Sequence, residues 1–213
     1  MPKPPRAPGR THPARLVELV EATPSLLRRL APPRRRDLLL QIGVVPDLVL
    51  ATDIDETPRR DELPAAYARR MAVEKAVAAI SHELPEGAVV LAGDTVVARG
   101  RMILPKAEDE ATARQCLTLL SGRRHRVLGG IALRLADGRI RSRLVTSSVT
   151  MKRLTARDIE AYIATGDWQG KAGGYAIQGP AAALIRHIDG SYSNIVGFSL
   201  YDVAAMLAGN GLR

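Results

Sequence analysis

The hydrophobic and polar positions of the chain follow two periods, one typical of helices and one typical of strands. Apolar residues recur at helical spacing over residues 64–84, the longest such stretch. Short apolar runs such as residues 88–92 predict buried strands, and Ala-Asp-Gly at 136–138 predicts a turn between two long strands. Helices that alternate with strands, some of them joined as hairpins, predict an α/β protein with a mixed sheet flanked by helices.

The N-terminal region has a different composition. Five prolines and a glycine fall within residues 1–13, so we expect a disordered, basic, proline-rich tail there and a single domain over residues 14–213. Residues 15–22 are predicted to form a short helix. Residues 1–36 hold nine Lys/Arg and two Glu, whereas the remainder holds 22 basic and 20 acidic residues. The net charge of +9 therefore belongs to one end of the chain.

Composition excludes several classes of protein. A near-neutral body with 3% aromatic residues argues against a nucleic-acid-binding protein. Mean hydropathy is −0.04, and no apolar run approaches the roughly 20 residues that span a bilayer, so we expect no membrane partner. The single cysteine, Cys116, excludes an intramolecular disulfide, and the N-terminus has no apolar signal segment. We therefore expect a cytoplasmic protein.

A predicted helix that starts at Pro33 carries Arg34, Arg35 and Arg36 in its first turn. Arginine opposes the helix dipole there, but free backbone N–H groups and guanidinium groups together suit a phosphate chain. The simpler interpretation of this run on its own is a solvated basic turn.

An acidic residue follows a predicted buried strand at Gly93-Asp94-Thr95. Ligands bind at the carboxyl ends of strands in α/β proteins, where an Asp can hold a metal or accept a proton from water. The alternative role for Asp94 is to cap a turn. Lys75 lies beside the apolar stripe of the long helix and suits either a site or a solvated Glu/Lys surface. Lys106 precedes a helix start, where a cation gains nothing from the dipole.

Residues 170–180 are rich in glycine, which allows a close backbone approach to a ligand. Gln178 lies in this stretch, and its amide presents a donor and an acceptor side by side, as the edge of a base does. A purely structural loop is the alternative. The four histidines show no metal-ligand spacing.

Several of these motifs occur together in one order. They are PRRRDLLLQIG at 33–43, AVEKA at 72–76, GDTVV at 93–97, ILPK at 103–106, LSG at 120–122, GKAGGYAIQG at 170–179 and GSYSNIVG at 190–197. In this order the chain resembles the Maf family of nucleoside triphosphate pyrophosphatases from about residue 33 to the C-terminus.

The resemblance implies a two-lobed α/β fold with a nucleotide cleft, similar to that of the ITPases. It also implies cleavage of a nucleoside triphosphate between its α- and β-phosphates. Asp94 would be the proton acceptor that activates water, and Glu56 with Asp94 would hold a divalent metal of the Mg or Mn type. The residues implied to hold the triphosphate are Arg34, Arg35, Lys75 and Lys106.

The resemblance further implies a preference for the base. Arg34, Thr95 and Gln178 match the markers of a subgroup that acts on dTTP and UTP, a house-cleaning activity in the nucleotide pool. A Gln amide can pair with the N3–H and O4 of uracil or thymine. The partner implied is the nucleotide itself, and a homodimer is left open.

The chain departs from the family just before Pro33. Leu30 and Pro32 stand where the family has two serines, and Arg28 and Arg29 fall where it has an apolar first strand. A local double frameshift in the coding sequence would produce this pattern. It motivates an alternative function: a catalytically impaired member that acts as a nucleotide-binding protein or a cell-division regulator.

Overall fold

A seven-stranded mixed sheet forms the centre of the protein. The structure, a computed structural model, describes residues 15–21, 34–79 and 84–212. The strands in these ranges are β1 (Leu16–Glu21), β2 (Leu48–Thr52), β3 (Val89–Arg99), β4 (Met102–Leu104), β5 (Lys106–Ala107), β6 (Arg124–Arg134), β7 (Ile140–Met151), β8 (Lys171–Ala172) and β9 (Ile185–Asp189). Of these, β5 and β8 form a separate two-stranded sheet, and the others belong to the large one.

The large sheet joins a parallel half to an antiparallel half at β3. Its strand order is β2-β1-β3-β6-β7-β9, and β4 pairs with β3. Strand β1 is parallel to β2 and β3, whereas β3, β6, β7 and β9 pair antiparallel. With helices packed on the sheet, this arrangement confirms the predicted α/β class and mixed sheet.

Two of the helices begin at residues whose side chains cap them. Asp109 accepts a hydrogen bond from the Thr112 N–H, and Thr155 forms a reciprocal capping box with Asp158. No helix in the described ranges is long and apolar enough to cross a bilayer. The helices are α1 (Arg34–Gln41), α2 (Pro64–Ala78), α3 (Glu110–Leu120), α4 (Ala156–Ile163), α5 (Tyr192–Val196) and α6 (Leu200–Ala208), with a 3₁₀ helix at Pro180–Leu184.

The predicted helix at residues 15–22 is wrong, because this segment forms β1 in the interior of the sheet. Pairing with β2 on one side and β3 on the other satisfies its backbone groups, which a six-residue helix with frayed ends cannot do. Val17 is fully buried in a cluster of small apolar side chains that includes residues of α2. The predicted tail at 1–13 and the unusual stretch at 27–32 lie outside the described residues.

The predicted strand end at Gly93-Asp94-Thr95 is also wrong. Strand β3 runs unbroken from Val89 to Arg99. Its parallel pairing with β1 ends at Leu91, but its antiparallel pairing with β6 continues to Ala98. Gly93 marks close packing and not a turn, since a Cβ there would collide with the Phe198 ring. Asp94 therefore lies inside a strand, just beyond the parallel half of the sheet.

Helix α2 packs unusually close to β6, the neighbour of β3. A Cβ on Gly130 would overlap the carbonyl oxygen of Ala68 in α2. Gly130 pairs with Asp94 across the two strands. The missing side chain thus lets α2, which carries Lys75, approach the strand that carries Asp94.

We expect Gly130→Ala to destabilise the protein, because the atom it would meet belongs to the backbone and cannot turn away. Overpacking of a core costs about 1–3 kcal/mol, and a chain of this size loses about 2–4 °C in Tm per kcal/mol. A Tm lower by about 2–12 °C is therefore expected in thermal unfolding. Gly209→Ala is the control, since Gly209 has a helical φ of −66°. Equal Tm values for the two variants would contradict the close approach.

Candidate active site

A chain of alternating charges links β3, near its middle, to α2, β5 and the loop after β2. The Nζ of Lys75 lies 2.7 Å from Oδ1 of Asp94 and 2.8 Å from Oε1 of Glu56. The other oxygen of Glu56 lies 2.5 Å from the Nζ of Lys106. Four residues predicted as site residues, from α2, β3, β5 and the loop after β2, are therefore in direct contact.

Lys75 and Asp94 form the buried end of this charge chain, with 1% and 3% of their surfaces exposed. Lys75 lies on the buried face of α2, along with Met71 and Ala72. The interpretation of Lys75 as a solvated helix residue is wrong. A buried charge is tolerated only when it is paired, and removal of one partner of such a pair costs about 3–5 kcal/mol.

The main chain of Glu56 is held against α2. The Tyr67 hydroxyl donates a 2.7 Å hydrogen bond to the Glu56 carbonyl oxygen. Burial raises the pKa of Tyr67 to about 12, and the negative charges of Asp94 and Glu56 contribute, so the phenol stays protonated and remains a donor. Tyr67 therefore fixes where the Glu56 side chain starts.

Arg70 anchors the rest of the same loop. Its guanidinium group makes two hydrogen bonds to the Glu62 carboxylate, at 2.8 and 2.7 Å, and one to the Thr57 carbonyl oxygen at 3.1 Å. It also lies 5.4 Å from the centre of the Tyr67 ring. These hydrogen bonds to Arg70 lower the pKa of Glu62 to about 2, so the pair stays charged at neutral pH.

Helix α1 brings Arg35 beside the charge chain. Its Nη2 donates to Oγ1 of Thr95 at 3.5 Å, and its Nε donates to the Gly197 carbonyl oxygen at 3.3 Å. The guanidinium carbon lies 5.2 Å from the centre of the Phe198 ring. Since Thr95 follows Asp94 directly, the helix start, β3 and the segment at 197–198 meet at one place.

Arg34 lies toward a different group of residues. Burial lowers the pKa of Lys171, and the positive charge of Arg34 lowers it further, which places Arg34 near Lys171 and β8. Lys171 belongs to the GKAGGYAIQG motif, and no role was predicted for it from the sequence. Its half-buried ammonium donates to the Gln169 carbonyl oxygen at 3.0 Å.

Gln178 is exposed at the end of a firmly anchored segment. The Gly173 N–H donates to the Pro105 carbonyl oxygen at 2.9 Å, the Tyr175 hydroxyl lies 2.7 Å from Nε2 of His125, and the Ala176 N–H donates to the Tyr162 hydroxyl at 3.2 Å. In the described part of the chain, no hydrogen bond joins the Gln178 side chain to the charge chain. The structure holds its backbone in place and leaves its amide toward solvent.

His125 is structural. Burial lowers its pKa to about 4, so the ring is neutral at physiological pH. Its partner Tyr175 is buried too, and burial raises the pKa of that hydroxyl well above its usual range. The pair therefore supports the segment that ends at Gln178.

The residues predicted to hold a metal, Glu56 and Asp94, share the ammonium of Lys75. Among the described residues there is no group of three or more His, Cys, Asp or Glu that could hold an ion. Mg²⁺ commonly binds one or two carboxylates together with substrate phosphates. The donor set here fits that mode of binding and not a cage made by protein alone.

Sequence reasoning missed Glu18 of β1 completely. Its side chain is fully buried, and neither carboxylate oxygen has a hydrogen-bond partner among the residues that the structure describes. Burial raises its pKa to about 7, although the charges of Arg35 and Arg36 oppose the shift. The burial of Glu18 was not predicted because residues 15–22 were interpreted as a helix, and a helix there gives no reason to bury position 18.

We expect Glu18→Gln to stabilise the protein at pH 8 more than at pH 5. The unfolded carboxyl ionises near its ordinary value of 4.5, whereas the folded one ionises near 7. The carboxyl therefore lowers stability increasingly between these values and not below them. Urea unfolding at both pH values measures the difference. Glu86→Gln, at an exposed glutamate before β3, is the control. A gain independent of pH would contradict this account.

These features define an α/β protein with a cationic site built around the buried carboxylate of Asp94. Comparison with known families and proteins places it more narrowly: the chain belongs to the family of Maf-like proteins, which matches residues 31–210. This confirms the resemblance drawn from the motifs.

Three relatives share more than half of their residues with the chain over nearly the whole length. Each is named dTTP/UTP pyrophosphatase. The protein from Paramagnetospirillum magneticum is 62% identical over 181 residues, 85% of this chain and 94% of its own length. That from Rhodospirillum rubrum is 58% identical and covers 86% of each chain. That from Novosphingobium aromaticivorans is 53% identical over 91% of this chain and 95% of its own.

A solved structure aligns with most of the chain. It is a nucleoside-triphosphatase, a dITP/XTP pyrophosphatase, from Mycobacterium abscessus. The match has a TM-score of 0.41 and 17% identity, over 92% of this chain and 95% of that one.

Proposed function

We propose that the protein hydrolyses dTTP and UTP to the nucleoside monophosphate and pyrophosphate, and so clears these nucleotides from the pool. The observation that carries the proposal is the buried Asp94–Lys75 pair, which Glu56 continues to Lys106. The chain that holds this pair is 53–62% identical to three proteins named dTTP/UTP pyrophosphatase. The intact charge chain and the names of the relatives favour this function over a catalytically impaired regulator.

The cations of the site suit a triphosphate, which carries several negative charges. Lys75, Lys106 and Arg35 lie around Asp94 and Thr95, and Arg34 extends the positive region toward β8. Fixed cations that face a phosphate chain stabilise the charge that develops during cleavage. These four residues would bind the triphosphate and align its α–β bridge with Asp94.

Asp94 would act as the proton acceptor. It would accept a proton from a water molecule. The oxygen of that water would form a bond to one phosphorus of the α–β bridge, while the bond from that phosphorus to the bridging oxygen breaks and this oxygen departs with the other phosphorus. Lys75 keeps the carboxylate in place through the 2.7 Å contact of its Nζ with Oδ1 of Asp94. A general base of this kind contributes typically 10²–10⁴-fold to the rate.

A divalent metal completes the proposal. Glu56 and Asp94 would hold it together with the phosphates, and when bound it would neutralise charge on the departing pyrophosphate. The two carboxylates are neighbours through Lys75, which supports a shared ion.

Base selection would rest on Arg34, Thr95 and Gln178. The exposed Gln178 amide can pair with the N3–H and O4 of uracil or thymine. The anchored segment behind it, held through Tyr175 and Ala176, gives the Gln178 backbone a fixed position. Nucleotide substrates and the single cysteine favour the cytoplasm as the location. We expect no nucleic-acid or membrane partner. A homodimer stays a prediction.

We expect the purified protein with Mg²⁺ to release pyrophosphate from dTTP and UTP faster than from dATP and dGTP. The physical reason is the pairing geometry of the Gln178 amide. A panel of nucleoside triphosphates with a pyrophosphate-specific detection step makes the comparison. Equal rates on purines and pyrimidines would reject the base assignment, and orthophosphate as the first product would reject the cleaved bond.

We expect Asp94→Asn to lower kcat for dTTP by about 10²–10⁴-fold, because the amide keeps the shape but cannot accept the proton. Circular dichroism at 25 °C is expected to match the parent, since Glu56 still pairs with Lys75. Asp61→Asn is the control: Asp61 is exposed, with φ at 59°, where asparagine is well tolerated. A loss of less than about threefold in Asp94→Asn would show that Asp94 is not the proton acceptor.

A further inference from the structure

Glu56 bridges two lysines through separate oxygens, one on Lys75 and one on Lys106. We infer that this carboxylate is an internal counter-ion that the phosphate chain of the substrate displaces. Glu56 holds both ammonium groups in position before the substrate arrives and yields Lys106 when the phosphates bind. The inference rests on the proposed function, since it assigns the event that opens the phosphate site.

The two halves of the bridge differ in burial, and this difference decides which one exchanges. The Lys75 side chain is 2% exposed, whereas those of Lys106 and Glu56 are 31% and 29% exposed. The Lys106–Glu56 pair is partly open to solvent, where an ion pair is screened and contributes less than a buried one, so an incoming polyanion can replace the carboxylate on Lys106. The buried contact to Lys75 lies beside Asp94, away from solvent.

The exchange needs only a side-chain rotation. The Tyr67 hydroxyl holds the Glu56 carbonyl oxygen, and Arg70 holds the loop at Thr57. Lys106 is equally fixed, because β5 pairs with β8 through Lys106 and Ala172. The carboxylate and the ammonium therefore start from rigid backbones, and the phosphate competes with Glu56 for a cation that is already placed.

The bridge also explains why two lysines can be held close together without a ligand. Two ammonium groups that share one carboxylate would repel each other if it were absent. Glu56 thus keeps the site pre-formed at the expense of phosphate affinity. Once turned away from Lys106, its carboxylate is available to the divalent cation that accompanies the substrate.

The test measures binding of inorganic tripolyphosphate by calorimetry in EDTA, with the full chain and no metal. Glu56→Gln is expected to bind it about tenfold more tightly than the parent, because one charge-assisted hydrogen bond to the phosphate is no longer contested. Glu108→Gln is the control: it removes the same charge two residues after Lys106, at an exposed position. Its affinity is expected within about twofold of the parent, as for an exposed charge screened by salt.

Equal or weaker binding by Glu56→Gln in EDTA would overturn the inference, as would equal tightening in Glu108→Gln. A role for Glu56 purely as a metal ligand predicts a change only when Mg²⁺ is present, and this result too would overturn it. Glu56→Asp guards against a folding defect. Its shorter carboxylate keeps the charge but does not span both lysines, so an affinity between those of the parent and Glu56→Gln is expected, and affinity at or below the parent's would count against the inference.

Turnover of dTTP by the parent separates this inference from the proposed function. If the parent releases pyrophosphate but Glu56→Gln binds tripolyphosphate no more tightly, the counter-ion role is wrong and the function stands. If the parent neither turns over nucleotides nor binds tripolyphosphate, both are wrong.

Discussion

The burial of one ammonium group constrains the whole site. Lys75 lies on the face of α2 that packs against the sheet, and its charge there is tolerable only because Asp94 and Glu56 meet it at 2.7 and 2.8 Å. Helix α2 must approach β6 closely enough for this contact, and Gly130 permits the approach. The loop that carries Glu56 must also return to α2, which Tyr67 and Arg70 ensure.

The sequence predicted the elements whose signals are local. The α/β class and the helix that starts at Pro64 both follow from short patterns that the surroundings did not override. Partners distant in sequence decide the two elements that were predicted wrongly. Leu16–Glu21 alternates too weakly to distinguish helix from strand, and its place between β2 and β3 settles the matter. Likewise, Gly93 on its own predicts the end of a strand. The structure shows that this glycine instead makes room for the Phe198 ring, which is distant in sequence.

The candidate site was predictable by residue but not by arrangement. The family resemblance pointed to Glu56, Lys75, Asp94 and Lys106 without showing that they form one alternating chain of charges. That chain depends on α2, β3 and β5 meeting in space, which no local pattern encodes. Glu18 carried no signal at all, because a glutamate in a segment interpreted as a helix is expected at the surface.

Charge alternation has a consequence for a site that must hold a polyanion. If Lys75, Lys106 and Arg35 faced an empty cleft without acidic neighbours, their mutual repulsion would oppose the folded state. Asp94 and Glu56 remove that repulsion, and each does so where it can also take part in chemistry. Asp94 lies at the buried end, where its charge is held in place by Lys75. Glu56 lies at the exposed end, where a contact to Lys106 can be exchanged for a phosphate. On the proposed function, the same two carboxylates stabilise the site before the substrate binds and take part in the reaction afterwards, and their difference in burial separates the two roles.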